Sequence, residues 1–320
     1  MNFDLLVENL RNPALLFFAL GVITVYLKSD LEIPPNSSKF ISIYLLFSIG
    51  FKGGQELSHE TFTSEIAWSM LFGICIAVVI PFYTFFILKR KLNVFDAGAI
   101  AAAYGSVSAV TFVTAVSYLE SQQLSLHGHM VAIMALMESP AIIVGLILIS
   151  MFNKEESNTI KRSAVVQHSL TNGSVLLILG SLVIGLLANA KQAEGIKPFT
   201  NDLFKGFLAI FLLDMGITSG KKLKSFFSFG WFPFVFAVIV PIFNGCVFAM
   251  LSSFVTTDIT NRFIFAVLAA SASYIAVPAA MKITVPQSNP GLYLPMALAV
   301  TFPVNITIGF PIYFMIVQHF

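Results

Sequence analysis

Two short runs of small and hydroxyl-bearing residues interrupt stretches that are otherwise apolar. They are Gly-Ser-Val-Ser at residues 105–108 and Ser-Ala-Ser-Tyr at residues 271–274. A break inside an apolar span frees backbone groups that hydrocarbon cannot satisfy, so it persists only where a neighbour, water or a bound ion satisfies them. Two interrupted helices would also point the positive ends of their dipoles at a shared point, which favours a small anion. Hydroxyls and freed carbonyls there can coordinate a hard cation such as sodium.

These runs supply most of the candidate site residues. The predicted substrate-binding residues are Gly105, Ser106, Val107, Ser108, Ser271, Ala272, Ser273 and Tyr274. The predicted ion-binding residues are Ser108, Thr111, Ser273 and Glu138. The alternative for any single serine is that its hydroxyl bonds back to the preceding turn and packs helices together. The paired occurrence of the runs favours a site, whereas Tyr274 could equally serve only to pack its ring.

Two acidic residues fall in apolar surroundings. Glu138 lies in a Met-Glu-Ser-Pro-Ala run, where an ionisable group is costly and usually functional, so it would ligate sodium or carry a proton. The alternative is that its side chain reaches the outer membrane interface. Asp214 is predicted to lie at an interfacial helix end, because Gly216 and Gly220 are expected to terminate that span.

The remaining chemistry-bearing residues predict no further site. Residues 127–129 (His-Gly-His) have no acidic or cysteine partner nearby in the sequence and are interpreted as a solvated outer loop rather than a metal site. Cys75 and Cys246 fall in apolar spans, where cysteine behaves as a small apolar residue. The chain lacks the glycine-rich nucleotide-binding motifs, which argues against direct use of ATP. No enzymatic activity and no cofactor are expected, apart from sodium as a coupling ion.

The elements that carry these residues are membrane spans. Hydrophobic residues make up 57% of the chain, charged residues only 11%, and the mean hydropathy is +0.86, which excludes a soluble globule. About ten apolar spans are predicted, five in each half, given the ~17–25 residues that a helix needs to cross a bilayer. The predicted fold is therefore an all-α integral membrane protein. The span centres are Phe18, Tyr44, Ala77, Tyr104, Ile142, Ile178, Ile210, Phe236, Ala269 and Pro303.

The two halves are related. Residues 49–57 recur in similar form as residues 215–223, and the two breaks form a second matched pair. Because each half has an odd number of spans, the repeats would enter the membrane in opposite senses. Such inverted repeats favour alternating access to a midplane site. A channel is the alternative, but it would more typically show a pore-lining ring or filter motif.

Loop charge gives the predicted orientation. Loops after the odd-numbered spans hold 12 of the 18 Lys and Arg residues, so that side should be cytoplasmic and both termini outside, in the inner membrane. These basic residues are topology signals and lipid contacts rather than a nucleic-acid site. They are Lys28, Lys39, Lys89, Arg90, Lys91, Lys154, Lys161, Arg162, Lys221, Lys222, Lys224 and Lys282.

Three segments carry a resemblance to a known family. Residues 105–111 are similar to a G-A-V-S-G-S-T motif, residues 137–141 to M-D-I-P-A, and residues 285–293 to I-P-x-x-N-P-x-x-Y. These motifs belong to the sodium-dependent bicarbonate transporters first recognised in cyanobacteria, and the resemblance spans nearly the whole chain. It implies an elevator-type fold of ten spans, in which spans one, two, six and seven form a trimeric scaffold and the other six move.

The resemblance also implies where sodium and bicarbonate bind, namely between spans four and nine. By motif, the implied residues are Gly105, Ser106, Val107, Ser108, Thr111, Ser271, Ser273 and Tyr274. The implied division of the chain is scaffold at 1–62, mobile core at 63–155, linker and scaffold at 156–225, and mobile core at 226–320. A PII-like cytoplasmic regulator is a further implied partner, although the family's long insertion between spans five and six is replaced here by residues 153–169 alone.

The second break departs from the family pattern. Where cyanobacterial members read S-S-S-D-I-S-G-P, Tyr274 replaces the acidic residue and Ala276 replaces a hydroxyl. The loss of one negative charge leaves three outcomes open: weaker sodium binding, coupling to protons, or a different anion. The hypotheses are therefore a sodium-coupled carrier for bicarbonate or a similar anion, a proton-coupled carrier for a small carboxylate, and a membrane anion sensor. A sensor would normally carry an output domain, which this chain lacks.

Overall fold

The computed structural model describes residues 12–153 and 173–320, which are helical and contain no strand in those ranges. The first half comprises α1 (Pro13–Tyr26), α2 (Pro35–Ser58), α3 (Ser64–Leu88), α4 (Val94–Gly105), α5 (Ala109–Ser121) and α6 (Gly128–Phe152). The second half comprises α7 (Gly173–Leu187), the short α8 (Ala190–Lys197), α9 (Phe204–Phe226), α10 (Trp231–Leu251), α11 (Ile259–Ala270), α12 (Ala276–Thr284) and α13 (Pro290–His319). Within α13, π-helical turns at Met296–Thr301 and Asn305–Gly309 alternate with α-helical ones.

Several of these helices can cross a membrane. Six helical stretches are long and apolar enough by length and composition, and every predicted span centre lies within a helix. The six are Ser64–Leu88, Val94–Ser121, Gly128–Phe152, Ala190–Leu223, Trp231–Phe254 and Pro290–His319. Large apolar side chains such as Leu71, Phe82, Ile239 and Phe243 are exposed on the outside of the protein. Such a surface suits hydrocarbon rather than water, in keeping with an integral membrane protein.

The helices pair crosswise between the two halves. The most extensive contacts run between α2 and α7, and between α9 and α1, so a long helix of each half packs along the first helix of the other half. A second group is formed by α3 with α4 and α6, and by α10 with α11 and α13. The deepest part of the core lies at α4 and α11, which are almost completely buried and position the breaks that follow them.

Glycines explain the close approach within the crosswise pairs. Gly54 of α2 faces Gly185 of α7, and Gly216 of α9 faces Gly21 of α1; a Cβ atom at any of these four positions would overlap backbone of the partner helix. Small residues at such crossings let helix backbones approach closely, which is how helices associate where lipid removes the hydrophobic driving force. The repeated motif at residues 49–57 and 215–223 is therefore a helix-packing motif in this structure.

The prediction that Gly216 and Gly220 terminate their span is wrong. The helix α9 continues past both glycines to Phe226. Asp214 consequently lies in the middle of α9 rather than at a helix end, and it is buried, with its carboxylate accepting a hydrogen bond from Ser38 of α2. These glycines serve a close helix crossing and not a left-handed C-cap, two roles that sequence alone does not distinguish.

Candidate functional site

The two breaks lie against each other and exchange hydrogen bonds. The backbone N–H of Ser108, in the first break, donates to Oγ of Ser271 at 3.1 Å. The backbone N–H of Ser273, in the second break, donates to the carbonyl oxygen of Ala103, at the end of α4, at 2.8 Å. Each break thus provides hydrogen-bond partners for polar groups of the other. Such partners are needed because a membrane interior offers no water to bind these groups.

Serines of both breaks also accept hydrogen bonds from the helices that follow. Ser108 is the N-cap of α5, and its Oγ accepts a hydrogen bond from the backbone N–H of Thr111 at 3.1 Å. The Oγ of Ser273 accepts from the backbone N–H of Val277, in the first turn of α12, at 3.4 Å. The starts of α5 and α12 thus lie at the same space between the breaks, to which each presents the positive end of its dipole.

The other residues predicted in the two breaks are buried next to the space between them. The hydroxyl of Ser271 bonds back to Leu268 at 2.9 Å, and the fully buried Ser106 hydroxyl has no hydrogen-bond partner among the described residues. A Cβ atom at Gly105 would overlap the ring of Pro81 in α3, so this glycine permits close packing of the first break. Ala272 and Thr111 are buried without lining the cavity described next.

A small cavity of about 20 Å³ lies between the starts of α5 and α12. The predicted residues that line it are Val107, Ser108, Ser273, Tyr274 and Glu138. A space of this size holds about one water-sized occupant, so a sodium ion fits, whereas a bicarbonate requires its walls to move.

Further wall residues were not anticipated from the sequence: Ala109, Met134, Ala135, Ile178, Ile275 and Ala276. Met134 and Ala135 precede Glu138 by one helical turn, so helical spacing from Glu138 would have found them. Ile178 comes from α7, and an isoleucine in an apolar helix gives no sequence signal at all.

Glu138 is the acidic group of this cavity. It lies near the middle of the 25-residue α6, its residue is 8% exposed, and no basic side chain in the described ranges pairs with it. The structure therefore places it inside the protein, while its depth in the membrane and its role in ion binding stay predictions. A buried carboxyl group without a basic partner is stable when it binds a cation or carries a proton.

Tyr274 separates the small cavity from a larger one. Its ring packs edge-on against Phe302 at 6.3 Å between centroids, and its buried hydroxyl lies beside Ser108 without forming a hydrogen bond. Tyr274 and Ile275 also line a cavity of about 430 Å³, whose walls include Lys39 and Lys221. Tyr274 thus packs its ring and also lines both cavities, while its role in substrate binding stays a prediction.

A histidine cluster at the opposite end corrects one prediction. His129 Nδ1 lies 2.7 Å from Glu60, while His127 Nε2 lies 3.4 Å from Asp258 and its Nδ1 lies 3.7 Å from Glu60. The interpretation of residues 127–129 as a solvated loop is wrong, because the acidic partners come from distant parts of the sequence. The hydrogen bond with Asp258 is the main cause that raises the pKa of His127. Among the described residues, no group of three or more candidate ligands could hold a metal ion.

Comparison with known proteins gives one family. The model of the Na+-dependent bicarbonate transporter superfamily matches residues 13–318, which is nearly the whole chain. No curated protein matches the sequence.

Proposed function

The chain belongs to the Na+-dependent bicarbonate transporter superfamily, and we propose that it is a secondary carrier that imports bicarbonate, or a similar small anion, together with sodium. The observation that carries this proposal is the meeting of two broken helices across one small cavity. The starts of α5 and α12 offer positive dipole ends and serine hydroxyls to an anion. Glu138 offers a carboxylate to sodium on the same cavity wall.

The proposed mechanism is alternating access by an inverted repeat of ten spans. Its support is the crosswise pairing of α2 with α7 and of α9 with α1, which would form the scaffold, while the other spans would move as a core. The proposed boundary near residue 62 falls in the loop between α2 and α3, whereas the one near residue 155 lies outside the described residues. A homotrimer, a PII-like regulator and an inner-membrane location with both termini outside belong to the same proposal and rest on the family resemblance and loop charge.

The two ends of the molecule differ in how far they are open, as expected for one state of an alternating-access cycle. At the end marked by Lys39 and Lys221, the 430 Å³ cavity reaches Tyr274. At the other end, Glu120 of α5 forms an ion pair with Lys52 of α2, across the boundary between proposed core and scaffold. Since loop charge predicts that the Lys39 end is cytoplasmic, this arrangement corresponds to an inward-facing state.

The decisive experiment is uptake of radiolabelled bicarbonate into liposomes that contain the purified protein. We expect accumulation when an inward sodium gradient is imposed, and none in empty liposomes at the same pH. Folded, inserted protein that gives no uptake under any gradient would overturn the carrier proposal and leave an anion sensor as the function to test.

A second candidate is a carrier for a small carboxylate that is driven by protons. It is favoured by Tyr274, which stands where related transporters have an acidic residue, so that Glu138 is the one acidic side chain in the small cavity. A single carboxyl group can carry a proton across the membrane as the core moves.

Glu138→Gln separates the two coupling mechanisms. If Glu138 ligates sodium, the sodium concentration for half-maximal uptake should rise by about tenfold or more, equivalent to ~1.4 kcal/mol of lost binding. If it carries a proton, uptake should instead lose its dependence on a pH gradient. Glu65→Gln is the matched control, because Glu65 is exposed at the start of α3. Unchanged kinetics in Glu138→Gln would remove this residue from both mechanisms.

A further inference from the structure

A second polar cavity, of about 250 Å³, lies between α2, α5 and the start of α9, at the end opposite Lys39 and Lys221. We propose that this cavity is a second anion site, in which the Glu120 carboxylate occupies the place that an incoming bicarbonate or monocarboxylate takes when the cavity opens. The identity of that anion rests on the proposed function, but the site itself rests on the three observations below.

The first observation is the way in which Glu120 is held. Its Oε1 lies 2.5 Å from Nζ of Lys52, and its Oε2 lies 3.5 Å from Nζ of Lys205, so each carboxylate oxygen faces its own ammonium group. Bicarbonate and small carboxylates present the same planar O–C–O fork. Lysine ammonium groups bind such anions as point charges without strict directional demands. Two ammonium groups that hold the Glu120 carboxylate can therefore hold a free anion in its place.

The second observation is an unpartnered hydroxyl in the cavity wall. Ser48 is 1% exposed, lines this cavity, and forms no hydrogen bond within the described residues. The hydroxyl of Tyr44 lies beside it and donates its own proton to the carbonyl oxygen of Phe199. Buried hydroxyl groups are nearly always hydrogen-bonded, and the Ser48 hydroxyl is able to turn toward an occupant of the cavity. An anion in this cavity would accept a hydrogen bond from Ser48.

The third observation comes from the internal repeat. Lys39 stands ten residues before the first copy of the repeated motif, which begins at residue 49, and Lys205 stands ten residues before the second copy, which begins at residue 215. The two lysines are therefore equivalent positions of the repeat, and each lines a cavity at one end of the molecule. Lys39, at the wide cavity, forms no ion pair with any described residue, whereas Lys205 is paired with Glu120.

Together these observations indicate that the Glu120 carboxylate and a free anion can exchange places between the two lysines. Lys52 and Lys205 lie on proposed scaffold helices, and Glu120 lies on the proposed core. When the core moves, Glu120 leaves the two lysines, and an anion that arrives from this end takes its place before it passes to the broken helices. Because the Lys52 side chain is 32% exposed and that of Lys205 is 67% exposed, solvent screens both charges, and each should contribute about a two- to fivefold effect on anion affinity.

The test measures bicarbonate binding to the purified full-length protein in lipid nanodiscs, with acetate as a second probe. Glu120→Gln keeps the side-chain shape and removes the internal anion, so it should bind one more anion than the wild-type protein. Adding Lys205→Gln or Ser48→Ala should weaken that additional site by about two- to fivefold. Lys191→Gln, at an exposed lysine of α8 at the same end, should have no effect. No additional binding in folded Glu120→Gln protein would overturn the proposal.

A transport measurement covers the case in which Glu120→Gln does not fold. In Lys205→Gln, the half-saturating bicarbonate concentration at the Lys205 side should rise by about two- to fivefold with an unchanged maximal rate. A changed maximal rate with an unchanged half-saturating bicarbonate concentration would contradict the proposal, because it would show that the ion pair only holds the core and the scaffold together at this end. The experiments distinguish failure of this proposal from failure of the proposed transport function. Additional anion binding by Glu120→Gln without any transport would support the second site and contradict the transport function. Transport without additional binding would contradict the second site alone.

Discussion

Replacing Ser273 by leucine is expected to abolish uptake. Ser273 lines the 20 Å³ cavity; its backbone N–H donates to Ala103 at the first break, and its hydroxyl accepts a hydrogen bond from Val277 at the start of α12. Leucine would fill the cavity completely and remove the hydroxyl that accepts a hydrogen bond from Val277. Overpacking of this kind costs about 1–3 kcal/mol in a well-packed interior. We expect uptake to fall by at least about tenfold, towards the level of empty liposomes.

Two further variants make this result interpretable. Ser273→Ala removes the hydroxyl but not the space, so it should retain measurable uptake with weaker substrate affinity. Ser253→Leu introduces the same bulk at an exposed position after α10, and it should transport like the wild-type protein. Normal uptake by Ser273→Leu, in protein that elutes as a folded species, would remove the second break from the substrate path.

Replacing Gly216 by leucine is expected to prevent stable folding. Its Cα lies so close to α1 that an added Cβ would overlap the carbonyl oxygen of Phe18 and crowd Gly21. The overlapping atoms belong to the backbone, so no change of side-chain rotamer relieves the clash and the two helices must separate. We expect a loss of about 3 kcal/mol or more in stability, at the upper end of overpacking effects. The measurement is the fraction of detergent-solubilised protein that remains monodisperse after heating.

Gly206 provides the control for this prediction on the same helix. A Cβ atom at Gly206 would meet no other atom within 4 Å. Gly206→Leu should therefore change stability by no more than about 0.5 kcal/mol, as substitutions away from packed contacts usually do. Equal heat resistance of the two variants would show that the α1–α9 crossing does not depend on the absence of a side chain at residue 216.

The sequence predicted the coarse architecture well because the physics of membranes leaves few choices. Apolar spans must be helical, and small polar runs inside them must meet partners, so the meeting of residues 105–108 with residues 271–274 followed from composition and repetition. The division into scaffold and core and the binding roles of individual residues stay predictions.

The errors came from residues whose partners lie far away in the sequence. His127 and His129 were interpreted as solvated because Glu60 and Asp258 are distant in the chain, and only folding brings them together. Asp214 was placed at a helix end because glycine is equally suited to a C-cap and to a close helix crossing. Ile178 could not be identified at all, since the α7 residue that closes the small cavity looks like any other lipid-span isoleucine.

The origin of the cavity walls has a consequence for how specificity could change over evolution. The described wall residues of the small cavity belong to α5, α6, α12, the two breaks, or Ile275, which joins the second break to α12; Ile178 of α7 is the exception. If the core slides past α7, translation uncovers the side of the occupant that Ile178 covers. The residues that select the anion and the helix that controls its release then lie in different parts of the protein, so the two properties can evolve independently. Substitutions at residues such as Ala276 can change which anion is bound, while the release of the anion still depends on α7.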